Sequence, residues 1–229
     1  MPRYFADIID VKHAIIRGRD VAHISGPLRK RPGDMLLIRD MDTGYIACIK
    51  SMHAGEISLE ILEQEALHTR GERVVHLGVC LIPPKDLDEI IRYAAELGVQ
   101  DIQPVVAARS NIRHISDSRL KRWDDIILES VKQSQRRTIP RIHPMQNLEE
   151  FARTAHGRWP ERLLAVRNAE VALSEITSDD VGILIGPEGG FAPDEEDVLI
   201  QNGFLPVHMG RTTLRSMTAA LAAAAILCR

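Results

Sequence analysis

The chain has 229 residues, enough to bury a core and to form one large or two modest domains. Its 45% hydrophobic and 27% charged residues are typical of a soluble globular protein, and its formal net charge of -3 argues against indiscriminate nucleic-acid binding. No run approaches eighteen apolar residues, and residues 1–4 lack the apolar core of a signal peptide, so we expect a cytoplasmic protein without a membrane segment.

The first seventy or so residues contain three short β-forming runs separated by turn signals. This spacing predicts a small antiparallel barrel or meander. Around residues 69–73 the chain becomes polar and charged, so we place a boundary there and predict domains 1–72 and 73–229. The β-forming runs are residues 35–38, 45–49 and 57–62, and the turn signals are residues 32–34, 42–44 and 54–55.

From Val74 onward, apolar strand-like runs alternate with segments that have helical spacing. Alternating strands and helices predict an α/β fold with a mainly parallel sheet covered on both faces. Strands are predicted at 74–82, 102–106, 163–166, 182–185 and 206–208, an extended piece at 139–142, and helices at 86–97, 118–134 and 148–155.

A glycine-rich turn, Gly-Pro-Glu-Gly-Gly-Phe at residues 186–191, follows the apolar run 182–185 and precedes a polar stretch from Ala192. The pattern predicts a strand, a tight turn and a helix. Glycines let a ligand lie against bare amide and carbonyl groups, and open α/β sheets bind ligands where their strands end. We therefore interpret this turn as a ligand cradle.

The last segment, residues 214–227, consists mostly of strong helix formers and predicts a terminal helix with Ser216 as its N-cap. Taken alone, its alanines indicate a packing helix that approaches another element closely. A second glycine turn at residues 209–211 precedes it, after a second buried strand. Two such turns at adjacent strand ends could bind one ligand from both sides.

Several kinds of site are excluded by missing motifs. The chain has no GxGxxG after a strand, no GxxxxGK[ST], no HExxH and no GxSxG, which argues against dinucleotide, nucleoside triphosphate, metal and serine hydrolase sites. Cys48, Cys80 and Cys228 lack metal-site spacing and are predicted to be reduced thiols. Two basic tracts, at 12–31 and 109–141, indicate either solvated faces or a phosphate-binding surface.

The chain resembles the RsmE-type 16S rRNA uracil-N3 methyltransferases of the SPOUT superfamily at residues 184–191, which contain the glycine turn, and at residues 209–210 and 214–221. Residues 2–5 and 23–34 are similar to the PUA-like barrel of that family, and further similarities follow in order through the middle of the chain. The resemblance implies a C-terminal SPOUT-type α/β domain with a trefoil knot, preceded by a small PUA-like β-barrel. It also implies a homodimer with the site near the subunit interface.

The resemblance further implies that S-adenosylmethionine is the cofactor, that 16S rRNA or the small ribosomal subunit is the partner, and that no metal is required. The product would be 3-methyluridine. The implied RNA contacts are Arg3, Arg29, Lys30 and Arg136. The implied cofactor-binding residues are Leu184, Ile185, Gly186, Glu188, Gly189, Gly190, Met209, Gly210, Leu214, Arg215 and Ser216.

Methyl transfer from a sulfonium depends largely on positioning, but the uracil N3 must also lose its proton. No general base is evident in the sequence, and we expect Arg215 to be the catalytic residue, through electrostatic help or ligand positioning. Thr212 and Met217 stand where the family usually has an arginine and an acidic residue. Two alternatives therefore stay open: a SPOUT methyltransferase for another RNA or base, and an inactive RNA-binding protein of ribosome assembly.

Overall fold

The structure is a computed structural model that describes residues 3–40, 43–53, 55–65 and 73–229. It divides into two compact units, one of Met1–Thr69 with Ser134–Ile139 and one of Arg70–Gln133 with Pro140–Arg229. The predicted boundary after residue 72 and parts of two predicted turns, at residues 42 and 54, lie outside the described residues. No sequence pattern indicated that Ser134–Ile139 would group with the N-terminal residues.

The first unit is built on a six-stranded sheet in the order β1-β4-β5-β6-β3-β2. The predicted meander is confirmed, because β4, β5 and β6 pair antiparallel in sequence order, while β1 pairs parallel with β4. The first three strands and the short helix were not predicted from the sequence. The elements are β1 (Arg3–Phe5), β2 (Asp7–Ile8), β3 (His13–Arg17), α1 (Arg19–Ser25), β4 (Met35–Arg39), β5 (Gly44–His53) and β6 (Glu56–Glu65).

Strand alternation places the core of this unit on one face of the sheet. In β3, Ala14 and Ile16 are fully buried, while His13 and Arg17 are exposed. The same period of two buries Ile57 and Leu59 in β6. Ile24 of α1 packs into this apolar cluster, so the short helix covers the inner face.

The second unit contains a parallel sheet in the order β10-β8-β7-β13-β11-β14-β12, with β9 paired to β8. Every pairing in it is parallel, as the alternating pattern predicted. Its elements are β7 (Val74–Cys80), α2 (Pro84–Leu97), β8 (Asp101–Val106), α3 (Asp117–Ser134), β9 (Arg141–Ile142), β10 (Gln146–Asn147), α4 (Leu148–Thr154), β11 (Glu161–Ala165), β12 (Val171–Ala172), β13 (Asp180–Ile185), α5 (Pro193–Gln201), β14 (Leu205–His208) and α6 (Ser216–Leu227).

The centre of the sheet is covered on both faces, because consecutive residues 75–80 of β7 and 181–185 of β13 are all buried. Trp159 lies against one face, over glycines on these two neighbouring strands. A Cβ on Gly182 would be 2.1 Å from the indole, and one on Gly78 would be 2.8 Å from it. Phe151 of α4 packs edge-on against the same indole, with ring centroids 4.9 Å apart.

Helix α6 begins at Ser216, with Arg215 in the N-cap position and no side-chain cap. The prediction that Ser216 caps the helix is therefore wrong: Ser216 is its first residue and is buried. The helix packs against α2, β7 and β13 through alanines, whose small side chains permit close approach. No helix in the described part of the chain is long and apolar enough to cross a membrane.

Candidate functional site

Three adjacent strands of the parallel sheet end at one cleft. Strand β11 pairs with β13 on one side and with β14 on the other, so the carboxyl ends of all three lie at the same edge. The segments that follow these strands line a cleft of about 370 Å³. This volume falls within the range of small-molecule sites, roughly 300 to 1,000 Å³.

The lining combines bare backbone, apolar side chains and a few charges. Apolar groups such as Val166, Ile185 and Leu214 suit a flat, weakly polar part of a ligand. The lining residues are Arg109, Ala165, Val166, Arg167, Ile185, Gly186, Pro187, Glu188, Gly190, Phe191, Glu196, His208, Met209, Gly210, Thr212, Thr213, Leu214, Ser216 and Ala219.

The two glycine turns have backbone shapes that other residues adopt only with strain. Gly190 has φ of 67° and Gly210 has φ of 118°, both in the region that favours glycine. Gly186 is needed for a different reason, because a Cβ there would lie 2.9 Å from the Phe191 ring. The sequence thus keeps the backbone of both turns uncovered where they meet the cleft.

The first turn is tied to the loop that follows β8. Arg109 donates from Nη1 to the carbonyl oxygens of Gly189 and Phe191, at 2.9 and 3.0 Å. Glu195 completes the link, since its carboxylate accepts from the amides of Ala108 at 2.6 Å and Ala192 at 2.9 Å. These contacts fix the turn in place at the entrance to α5.

The second turn is braced by the last residue of β14. The backbone amide of Gly210 donates to Nδ1 of His208 at 3.2 Å, which leaves the proton of a neutral imidazole on Nε2. Ser216, the first residue of α6, also lines the cleft. Arg215 precedes it, is exposed, and makes no side-chain hydrogen bond or ion pair with any residue that the structure describes.

The structure brings most of the predicted cofactor residues together in this cleft and leaves three out of its lining. Leu184 is fully buried in the core around Phe151 and Trp159. Gly189 is exposed, and its carbonyl accepts a hydrogen bond from Arg109. Arg215 is exposed in the N-cap position of α6. The predicted residues that line the cleft are Ile185, Gly186, Glu188, Gly190, Met209, Gly210, Leu214 and Ser216.

Sequence reasoning missed several lining residues, above all Arg109, Arg167 and Glu196. Arg167 follows the strand predicted at 163–166, so the strand-end argument used for the glycine turns would have found it. Arg109 lies in the basic tract 109–141, but nothing local indicated its contact with the first turn, because that contact joins loops eighty residues apart.

The four predicted RNA contacts all belong to the first unit. Arg3 forms an ion pair with Glu65 at 2.6 Å and donates to the carbonyl of Gln135 at 2.9 Å. The hydrogen bonds that Arg3 donates to the Glu65 carboxylate hold the pKa of that carboxyl below its ordinary value, even though burial raises it. Arg136 donates to Thr138 at 3.0 Å, while Arg29 is exposed and Lys30 is partly exposed.

A buried histidine lies near the opposite, amino-terminal edge of the sheet. His76 is hydrogen-bonded to Asp101 at 2.8 Å and to Asp180 at 2.9 Å. Burial alone would lower the pKa of His76, but the hydrogen bonds and negative charges of these two carboxylates outweigh it, so the pKa is raised. Both ring nitrogens are satisfied, which agrees with a structural role for this histidine. Within the described ranges, no cluster of three or more candidate metal ligands was found.

Comparison with known proteins places the chain in a family. The pattern of the RNA methyltransferase domain matches residues 69–228. A ribosomal RNA small subunit methyltransferase E from Mesomycoplasma hyopneumoniae is 31% identical over 170 residues, which cover 71% of this chain and 72% of that protein. The protein of the same name from Synechocystis is 29% identical over 200 residues, covering 84% of this chain but 65% of the relative.

A solved structure extends the similarity to nearly the whole chain. The crystal structure of a ribosomal RNA small subunit methyltransferase E from Neisseria gonorrhoeae, bound to S-adenosyl methionine, is 27% identical with a TM-score of 0.78. The match covers 98% of this chain and 95% of that one. The chain therefore belongs to the RNA methyltransferase domain family, and within it to the ribosomal RNA small subunit methyltransferases of type E.

Proposed function

We propose that this chain transfers the methyl group of S-adenosylmethionine to N3 of one specific uridine in the 16S rRNA of the small ribosomal subunit. One observation carries the proposal: the two glycine turns, after β13 and β14, open into a single cleft in a chain of this family. The Neisseria gonorrhoeae relative was solved with S-adenosyl methionine bound, which supports the same cofactor for this chain.

The residues of the cleft fit such a cofactor. Bare backbone at Gly186 and Gly210 offers hydrogen-bonding groups to an adenine edge, and Val166, Ile185 and Leu214 offer apolar surface to its faces. Glu188 and Glu196 can accept hydrogen bonds from ribose hydroxyls or from an ammonium group. The bound cofactor supplies an activated methyl group on a sulfonium.

The remaining chemistry is the loss of a proton from uracil N3. Arg215 stands between the cleft residues Leu214 and Ser216, so its side chain starts at the rim of the cleft. We propose that the N3 proton passes to water and that the Arg215 guanidinium stabilises the negative charge left on the uracil. His208 is a poor general base in this geometry, because its Nδ1 already accepts from Gly210.

We also propose that the second unit is a trefoil-knotted SPOUT domain within residues 73–229. Strand β14 lies in the sheet between β11 and β12, although both of these precede it in the chain. The segment that joins β11 to β12 therefore crosses the end of β14, where the chain leaves for α6. A knot requires the chain to pass beneath an earlier segment in this way, although most protein chains avoid such threading.

The part of the first unit within residues 1–72 is proposed to be a PUA-like barrel that binds RNA, and Ser134–Ile139 adds Arg136 to the unit. Its strands β1 and β2 are at opposite edges of the sheet but are separated only by Ala6, so one bent segment joins the two edges. Arg29, Lys30, Arg136 and Arg3 are the proposed RNA contacts. Arg3 is expected to contribute least, because Glu65 already compensates its charge.

We further propose a cytoplasmic homodimer in which the alanine-rich α6 takes part in subunit packing. Sedimentation velocity across a range of concentrations would measure the mass, and a species that stays monomeric at micromolar concentration would contradict this part of the proposal.

The test of the activity uses 30S subunits that lack the modification. Wild-type protein and Arg215→Ala are incubated with methyl-labelled S-adenosylmethionine, and the rRNA is digested for nucleoside mass spectrometry. We expect labelled 3-methyluridine from the wild type and a rate at least about tenfold lower from the variant. Label in another nucleoside would instead favour a different RNA or base. Absence of any label together with failure to bind the cofactor would favour the inactive assembly protein that Thr212 and Met217 suggest, whereas tight cofactor binding would count against it.

A further inference from the structure

Arg167 lies at the end of β11, the strand between the two strands that carry the glycine turns. The amide of Val166 donates to the carbonyl of Val207 at 3.0 Å, so pairing with β14 continues to the residue before Arg167. Neighbouring strands are about 4.8 Å apart, which separates the ends of β13 and β14 by roughly 10 Å. A ligand that reaches both glycine turns must therefore cross the end of β11 and pass Arg167.

Three basic side chains line the cleft, and two of them are already engaged. Arg109 donates to two carbonyl oxygens of the first turn, and His208 accepts from the backbone of the second. Arg167 is exposed, and its guanidinium has no hydrogen-bond or ion-pair partner among residues 3–40, 43–53, 55–65 and 73–229. It brings a full positive charge and five unused N–H donors to the middle of the site.

We propose that Arg167 binds the α-carboxylate of S-adenosylmethionine and so fixes the methionine end of the cofactor over β11. The inference rests on the proposed function, because it takes S-adenosylmethionine as the ligand of the cleft. The carboxylate is the single anionic group of this ligand, and the planar fork of an arginine matches a carboxylate with two parallel hydrogen bonds.

The other charges around the cleft agree with this orientation. Glu188 and Glu196 would repel a carboxylate, whereas they suit the ammonium group and the ribose hydroxyls. Both acidic side chains come from the β13 side, on the first turn and the start of α5. The carboxylate is thus directed away from that side and toward Arg167.

The experiment compares two ligands that differ in one group. Decarboxylated S-adenosylmethionine keeps the adenosine, the sulfonium and the amine but lacks the carboxylate. Calorimetry measures the affinity of both ligands for the full-length wild type, Arg167→Ala, Arg167→Lys and Arg153→Ala. Arg153 is a matched control, since it is an exposed arginine on α4 that does not line the cleft.

We expect Arg167→Ala to weaken the binding of S-adenosylmethionine by about 10- to 100-fold and to leave the decarboxylated ligand unchanged. Arg167→Lys should recover part of the lost affinity, because lysine keeps the positive charge but cannot form two parallel hydrogen bonds with the carboxylate. Arg153→Ala should match the wild type for both ligands. Equal losses for the two ligands in Arg167→Ala, or no loss for either, would overturn the proposal.

The same data separate this inference from the proposed function. If the wild type binds S-adenosylmethionine with the expected ligand difference but 30S subunits gain no 3-methyluridine, the role of Arg167 stands and the assigned reaction fails. If the wild type does not bind S-adenosylmethionine, the carboxylate contact and the cofactor assignment are both refuted. Thermal melting of each variant checks its fold. We expect unchanged melting temperatures, because Arg167 and Arg153 are both exposed.

Discussion

Replacing Gly182 by alanine should strongly destabilise the unit that contains the cleft. Gly182 lies in β13, four residues before Gly186 at the start of the first glycine turn, and its missing side chain makes room for Trp159. An added Cβ would be 2.1 Å from Cδ2 and 2.2 Å from Cε3 of the indole. To reach an ordinary contact of 3.4 Å, the ring or the strand must move by about 1.3 Å, the difference between 3.4 and 2.1 Å.

The surroundings leave little room for that movement. Trp159 is 1% exposed, and its indole packs edge-on against Phe151 and Phe204. Overpacking of a well-filled core typically costs about 1 to 3 kcal/mol, and we expect the upper end, about 3 kcal/mol, because the overlap is with a rigid ring. With a urea slope of about 2 kcal/mol/M, this cost lowers the unfolding midpoint by about 1.5 M.

Urea unfolding followed by tryptophan fluorescence measures the effect, since one of the two tryptophans is the group that is disturbed. Gly157→Ala is the matched control, because a Cβ there has no atom within 4 Å and the backbone is not in the left-handed region. Its free energy of unfolding should stay within about 0.5 kcal/mol of the wild type. A Gly182→Ala midpoint equal to that of Gly157→Ala would refute the packing described here.

Three further predictions concern the cleft and the buried histidine. Gly210→Ala should cost about 1 to 3 kcal/mol or displace the second turn, because φ is 118° there; unchanged melting with unchanged cofactor affinity would contradict this. Arg109→Ala should weaken S-adenosylmethionine binding about fivefold in calorimetry, because the turn loses two carbonyl contacts, whereas Arg153→Ala should not. The raised pKa of His76 implies a stabilising contribution that is complete below pH 6.5 and is lost as the pH rises through the folded-state value. Urea midpoints measured from pH 6 to pH 9 should therefore fall more in the wild type than in His76→Gln. Midpoints that change in parallel with pH in the two proteins would show that His76 makes no such contribution.

Much of the cleft could be predicted because its backbone requirements are local. Apolar runs marked β13 and β14, and the glycines after them marked turns that only glycine adopts easily, at Gly190 and Gly210. Parallel strands end at a common edge, so bringing the two turns together required only the assumption that their strands were close. The position of β11 between them depends on the order of strands in the sheet, which no local pattern carries.

The errors of detail also have physical causes. Leu184 and Ile185 belong to a strand buried on both faces, so hydropathy gave no indication that Leu184 points into the core while Ile185 lines the cleft. The first strands of the chain are only three and two residues long, too short for a period of two to appear. The grouping of Ser134–Ile139 with the N-terminal unit depends on contacts distant in sequence, such as that between Arg3 and Gln135.

The most direct test of the central claim is the identity of the methylated nucleoside. Purified 30S subunits from cells that lack the modification are incubated with this protein and S-adenosylmethionine that carries a deuterated methyl group, and the 16S rRNA is analysed as nucleosides. We expect deuterated 3-methyluridine at about one per subunit, since one specific uridine is modified. Deuterium absent from the 16S rRNA, or present only in a different nucleoside, would contradict it.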